Sequence, residues 1–185
     1  MQIASAQRAA AGETECGDSF VVLDGETTTI AVVDGLGHGP EAAKAAEEFC
    51  AFVKEHASIG LEQLLREASQ AISKTRGAAA SLLRIHSQSR RVEFIGVGGV
   101  ELRALSKEPI QPITTPGVVG HRMPKLLSFD YPVTSRDLLV LFTDGISGRF
   151  NLKSYDQHSP KGMAEAILAN HGRSYDDATC VVVKL

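Results

Sequence analysis

Positive charge is in short supply in this 185-residue chain: 19 Lys and Arg stand against 22 Asp and Glu, a formal net charge of -3. A nucleic-acid binder usually carries a clear basic surplus, so nucleic acid is not an expected partner. No stretch approaches the roughly 20 consecutive apolar residues of a membrane-spanning helix. Met1 to Ala11 contains no apolar core of the signal-peptide type, so export is not expected. Cysteine is scarce as well. Cys16, Cys50 and Cys180 are an odd number at wide spacings with no Cys-x-x-Cys. That is neither a disulfide framework nor a zinc ribbon, and it suits a reducing cytoplasm. Internal repeats and low-complexity tracts are also missing. What remains is a chain with 43% apolar residues and 17 glycines in no regular period, which excludes both disorder and a collagen-like repeat. The length predicts one domain over residues 1–185.

The first third alternates strand patterns with turn signals. Asp18 to Asp24 and Thr27 to Val33 are rich in β-branched residues, and Asp24-Gly25 between them is a hairpin signal, because Gly accepts positive φ. After the Gly-rich segment Gly35-Leu36-Gly37-His38-Gly39-Pro40, two amphipathic helices follow. Ala42, Ala45, Ala46, Phe49, Phe52 and Val53 share one helix face, and Leu61, Leu64, Leu65, Ala68, Ala71 and Ile72 repeat the same offsets. From Gly77 strand patterns return: Ala80 to His86, Arg91 to Val97 and Val100 to Leu105. Pro109, Pro112, Pro116 and Pro124 mark an irregular surface connection, since proline cannot donate to a sheet ladder. Leu126 to Val133 is a further strand candidate. Leu138 to Phe142 is a continuous apolar run, as expected of a strand covered on both faces. Ser159-Pro160 reads as an N-cap with Pro at the first helical position of a helix through Ala169, and Ala178 to Val183 closes as another buried strand. Strands in runs with helices in pairs indicate an α+β layered fold.

The aspartates carry the functional signal. Asp18 opens a strand, Asp34-Gly35 ends one, Asp144-Gly145 follows the buried run, and Asp176-Asp177 precedes the final strand. Each alone could be a turn or cap. A carboxylate at the mouth of a buried strand is costly unless it is hydrogen-bonded or holds a cation. Converging carboxylates also raise one another's pKa, and hard divalent cations remove that problem; Mg²⁺ or Mn²⁺ fits an all-oxygen site better than zinc. The loop after Asp34 is no dinucleotide fingerprint, because Pro40 stands where the third glycine would be, and Gly-Lys-Ser/Thr is absent. An Asp-x-Gly-x-Gly ATP-binding loop is a near miss, with Leu36 in place of its first glycine. A plain Gly-rich turn into a helix is the remaining alternative.

Taken in order, Glu15-Cys16-Gly17-Asp18-Ser19, Val33-Asp34-Gly35-Leu36-Gly37-His38-Gly39, Phe142-Thr143-Asp144-Gly145-Ile146 and Asp176-Asp177-Ala178-Thr179 resemble the metal-dependent (PPM, type 2C) protein Ser/Thr phosphatases. The likeness is to their small bacterial SpoIIE/RsbU/RsbX branch. Arg76-Gly77-Ala78-Ala79, Gly96 to Glu101 and Thr115-Pro116-Gly117 resemble segments of the same branch, so the likeness runs from about Gly17 to Val183. It implies a four-layer sandwich of two antiparallel β-sheets flanked by helix pairs. It further implies two divalent cations, Mn²⁺ or Mg²⁺, with Asp34 bridging both and the Gly35 carbonyl assisting. Asp144 and Asp177 would complete one metal and Asp18 would face the other, with Asp176 as a cap or supporting neighbour. Catalysis would fall to Asp34 and Asp144, with His38 as the acid for the leaving group. Eukaryotic members place an Arg upstream of the first aspartate to grip phosphate. Here that stretch reads Glu13-Thr14-Glu15-Cys16, so phosphate must be held mainly by the metals.

The resemblance implies a phosphoserine/phosphothreonine phosphatase acting on phosphorylated STAS-domain proteins of a stressosome. The cysteine pattern points to the cytoplasm, and no extra helices that could dimerise the domain are evident, so a monomer is expected. A phosphatase-like module that docks phosphoproteins without turnover is the second reading, and an ATP-binding kinase of the same signalling systems the third. The other histidines, His56, His86, His121, His158 and His171, show no metal-ligand spacing and read as solvated surface. Cys50 and Cys180 read as core. Cys16, beside Glu13 and Glu15, reads as an inert thiol with a raised pKa.

Overall fold

Apolar alternation along the strands sorts the side chains of this computed structural model, which describes residues 1–185, into three buried layers. The elements in chain order are β1 (Gln2–Arg8), β2 (Asp18–Leu23), β3 (Thr27–Gly35), α1 (Pro40–His56), α2 (Leu61–Ala71), β4 (Ala78–His86) and β5 (Arg91–Val97). There follow β6 (Glu101–Leu105), β7 (Ser128–Pro132), β8 (Leu138–Phe142), a 3-10 turn (Leu152–Tyr155), α3 (Pro160–His171) and β9 (Ala178–Lys184). One sheet has the order β2-β3-β4-β5-β7 and the other β1-β9-β8-β6, and every pairing within them is antiparallel.

The period-2 rule is visible in β3. Ile30 and Val32 point into the space between the sheets, where they meet Leu83, Phe94, Leu139, Leu141, Val181 and Val183. Ala31 and Val33 point the other way, onto Phe49, Val53, Leu64, Leu65 and Ala68 of α1 and α2. In β8 and β9, Val140, Phe142, Cys180 and Val182 face Met163, Ala164 and Ile167 of α3. The layers therefore run helix pair, five-stranded sheet, four-stranded sheet, helix. The second outer layer holds α3 and the 3-10 turn where the resemblance implied a helix pair.

The Ser159 hydroxyl caps α3, accepting from the Gly162 N–H at 3.2 Å, and the helix runs on to His171 rather than ending at Ala169. The proline-rich segment is irregular and largely at the surface, as expected, but it is tied to the sheet at a few buried points. Ile110, Thr115 and Val119 are buried, and the segment trades backbone hydrogen bonds with Ala78, Gly96 and Gly98. Prolines leave enough donors between them for isolated bridges, so the segment lies along the sheet. The strand β1 was not anticipated; Gln2-Ile3-Ala4-Ser5-Ala6-Gln7-Arg8 has little apolar alternation, and its partner is β9 at the far end of the sequence.

Two buried charges are settled within the fold. Arg84, 7% exposed, donates to Thr29 Oγ1 (3.2 Å), the Ile59 carbonyl (2.9 Å) and the Ala57 carbonyl (2.6 Å), which fixes the α1–α2 turn against β4. Asp137, at the start of β8, accepts from the Thr134 N–H and the Thr134 hydroxyl, both at 2.9 Å.

Candidate active site

Five of the expected residues gather at one end of the sandwich because the strands that carry them end there. Asp18 and Asp34 are direct partners across β2 and β3. Asp144 leaves β8, and Asp177 leads into β9, so the second sheet delivers its carboxylates to the same end. Thr143 joins the two sheets. Its hydroxyl donates to Asp18 Oδ2 at 2.7 Å and accepts from the Thr179 N–H at 2.9 Å. Asp177 Oδ1 accepts from the Ala10 N–H at 2.9 Å. Gly17 lies so close to Asp177 that a Cβ there would collide with its Oδ2. Gly35 is pinned between its neighbours: its N–H donates to the Gly17 carbonyl at 3.1 Å, and a Cβ would run into the Ala42 backbone of α1. The small side chains of Ala42 and Ala43 at the start of α1 permit that approach, and Gly39, with φ 72°, makes the turn into Pro40.

Electrostatically this end is under tension. Burial pushes the Asp18 carboxyl up to about 7, against the opposing Thr143 hydrogen bond and the nearby Thr179 hydroxyl, with Asp177 and Asp176 adding repulsion. Asp34 is raised well above the usual carboxylate range, first by burial and then by Asp18, Asp144 and Asp176. Asp176 is raised too, by burial and by Asp144, with Arg173 opposing. Two buried carboxylate oxygens, Asp18 Oδ1 and Asp177 Oδ2, have no hydrogen-bond partner at all. No three acidic side chains close on one point as a finished metal cage. Like charges do not crowd together without a cation between them. Buried oxygen donors without partners, on carboxylates whose charged forms are penalised, are what a hard divalent cation would relieve. The donor set fits such an ion.

His38 is on the exposed loop after Asp34-Gly35, with Nδ1 at 2.6 Å from Glu13 Oε1. Asp176 Oδ1 accepts from the Asp177 N–H at 3.0 Å, the capping role expected of it. Cys16 has its thiol pushed up to about 12; burial is the main cause and Asp18 and Asp177 contribute, in place of the glutamates expected from the sequence. Cys50 and Cys180 are buried core residues. Three residues at this end were not singled out from the sequence: Thr143, Glu13 as the partner of His38, and Arg173, whose Nη1 donates to the Asp144 carbonyl at 2.8 Å. Thr143 was within reach, since it directly precedes Asp144-Gly145. Arg173 stands three residues before Asp176-Asp177, but the motif begins at Asp176 and no pattern in the sequence ties the arginine to Asp144.

Residues 24–185 match the family described as Stage II sporulation protein E (SpoIIE). The chain belongs to the SpoIIE family. A relative from Bacillus subtilis (strain 168), the phosphoserine phosphatase RsbX, is 28% identical over 182 residues, covering 94% of this chain and 89% of RsbX. Among solved structures, a chain from "The bacterial stressosome: a modular system that has been adapted to control secondary messenger signaling" has a TM-score of 0.93 at 31% identity, covering 97% of each chain. RsbX in complex with magnesium has a TM-score of 0.87 at 25% identity, covering 98% of this chain and 93% of that one. This SpoIIE-family chain is thus a phosphatase domain of the PPM type, with the two antiparallel sheets of that fold. The SpoIIE match and this fold set aside the ATP-binding alternative.

Proposed function

We propose that the chain is a divalent-cation-dependent phosphoserine/phosphothreonine protein phosphatase whose site is the end that carries Asp18, Asp34, Gly35, Asp144 and Asp177. The observation that carries this reading is the pair of buried, partnerless carboxylate oxygens on Asp18 and Asp177 flanking the strongly perturbed Asp34. Asp34 would bridge two cations, with the Gly35 carbonyl assisting. Asp144 and Asp177 would serve one of them and Asp18 the other. Mn²⁺ or Mg²⁺ held there would supply Lewis acidity to a water nucleophile and offset charge on the phosphoryl oxygens.

The chain's own residues do the rest. Thr143 holds Asp18 Oδ2, and Ala10 holds Asp177 Oδ1, so each carboxylate is fixed through one oxygen and keeps the other free of hydrogen bonds. Glu13 engages His38 Nδ1, which leaves Nε2 as the atom that hands a proton to the departing seryl or threonyl oxygen. Asp176 fixes the turn that delivers Asp177.

The likeness to RsbX and to a stressosome chain supports phosphorylated STAS-domain regulators as substrates. Residues 1–185 would act as one domain, as a monomer, in the cytoplasm. No helix is long and apolar enough to cross a membrane. The test is phosphate release from a phosphorylated STAS domain with Mn²⁺ or with EDTA, alongside Asp144→Asn. Release that needs the metal and disappears in the variant is expected. A protein that binds Mn²⁺ yet releases no phosphate from any phosphoprotein would be a docking module instead.

A further inference from the structure

A phosphoserine dianion that approaches this end meets Asp18, Asp34, Asp144, Asp176 and Asp177, all of its own sign. Arg173 is tethered to the site's backbone through the Asp144 carbonyl and is committed to no carboxylate. We propose that Arg173 grips the phosphoryl group of the substrate, an inference that rests on the phosphatase reading above.

The backbone of Arg173, in the turn between α3 and β9, is fixed on both sides. Its N–H donates to the Gly145 carbonyl at 2.7 Å, and its carbonyl accepts from the Asp176 N–H at 3.3 Å and from Arg8 Nη2 at 2.9 Å. Its guanidinium is anchored by Nη1 on the Asp144 carbonyl at 2.8 Å, and the residue is exposed. Of the five N–H donors of a guanidinium, one is therefore used, and the others remain for a ligand. Arg66, Arg91 and Arg103 each pair with a carboxylate within 4.0 Å, whereas Arg173 does not, although its charge is felt at Asp176.

A planar fork held at the rim of an anion-binding site matches two phosphoryl oxygens, and the anchor on Asp144 lowers the ordering cost of binding. Asp144 carries both ends of this arrangement: its carboxyl faces Asp34, and its carbonyl holds the arginine. Arg76 is the rival, exposed with Nη1 beside Gly37 on the other side of the loop, but no hydrogen bond ties its guanidinium to the site backbone.

The experiment compares Arg173→Ala, Arg173→Lys and Arg76→Ala in the Mn²⁺-loaded protein. It reads kcat and KM on a phosphoserine peptide and, by calorimetry, the affinity for inorganic phosphate. Arg173→Ala is expected to lose about tenfold or more in kcat/KM, mostly through KM, and to bind phosphate correspondingly more weakly. Arg173→Lys should recover part of the loss, since it keeps the charge without the fork. The thermal midpoint and the Mn²⁺ activation midpoint should stay at their wild-type values. Wild-type KM and phosphate affinity in Arg173→Ala overturns the proposal. So does a larger loss in Arg76→Ala, or a loss accompanied by a shifted Mn²⁺ midpoint, which would mean that Arg173 acts only through Asp144. If the wild type releases no phosphate at all, the phosphatase reading fails, and the calorimetry still decides whether Arg173 binds the anion.

Discussion

The strand β8 (Leu138–Phe142) runs between two acidic places that behave in opposite ways, Asp137 before its start and the buried Asp18 and Asp177 beyond its other end. At its start Asp137 is 2% exposed, and both carboxylate oxygens are occupied by Thr134. Beyond its other end, Thr143 and Asp144 lead to Asp18 and Asp177, 4% and 3% exposed, each with one oxygen that nothing in the protein satisfies. Residue type and depth are the same, so neither separates Asp137 from the carboxylates of the proposed site. The count of filled acceptors does. A closed count marks a turn held together, and an open one marks a place for something from outside. Arg84 repeats the closed case with a cation, since three hydrogen bonds to Thr29, Ile59 and Ala57 settle its guanidinium.

Substitutions at the two ends should therefore separate activity from stability. Asp34→Asn and Asp144→Asn are expected to lower phosphate release about a thousandfold or more while the fold persists. Near-native turnover in either purified variant would break the contrast at once. Asp137→Ala should do the reverse. It strands the Thr134 donors and costs about 1–3 kcal/mol in urea unfolding, with kcat/KM per folded molecule intact.

The third test uses pH. Asp18 in the folded protein titrates near 7 against an ordinary value of 3.8, and Asp34 is displaced in the same direction. Between those values the folded state holds protons that the unfolded chain has released. Stability in EDTA should therefore fall as pH rises from about 4 through about 7. Saturating Mn²⁺ should remove or reverse the slope, because the cation replaces those protons. Calorimetric midpoints at pH 5 and pH 8 decide it, and an EDTA-treated protein that gains stability over that range contradicts the open-count reading. The smallest effect belongs to the rim. Glu13→Gln should slow phosphoserine hydrolysis by no more than about fivefold, since a half-exposed pair contributes little. The slowing should vanish with an aryl phosphate, whose leaving group needs no proton. Equal slowing on both substrates would remove the proton-donor role from His38.

Much of this contrast was legible before any coordinates. β-branched runs and Asp-Gly turns located β2 and β3, and that hairpin alone sets Asp18 opposite Asp34. Continuous apolar runs located β8 and β9, and with them Asp144 and Asp177. Asp137 also stands at a strand end, and no sequence pattern distinguishes it from the others; only the neighbouring Thr134 donors do. The hidden features share one cause, which is distance along the chain. The strand β1 draws its stability from β9, Asp18 takes its hydrogen bond from Thr143, 125 positions away, and Arg173 reaches back 29 positions to Asp144. Local periodicity carries no trace of such pairings. Glu13 and His38 sit on two loops whose proximity follows from the packing of α1 against β2 and β3.

The hydrogen bond from the Ala10 N–H to Asp177 joins residues 167 positions apart. During synthesis the hairpin of Asp18 and Asp34 can form, with α1 and α2 over it, long before the ribosome has added β8 or β9. For that interval β1 has no strand to pair with, and the acidic end has only half of its carboxylates. A nascent chain therefore carries a helix–sheet half without Asp144 and Asp177. The proposed site would be complete only once the C-terminal strand has paired with the N-terminal one, which makes the β1–β9 ladder a checkpoint in time as well as a piece of architecture.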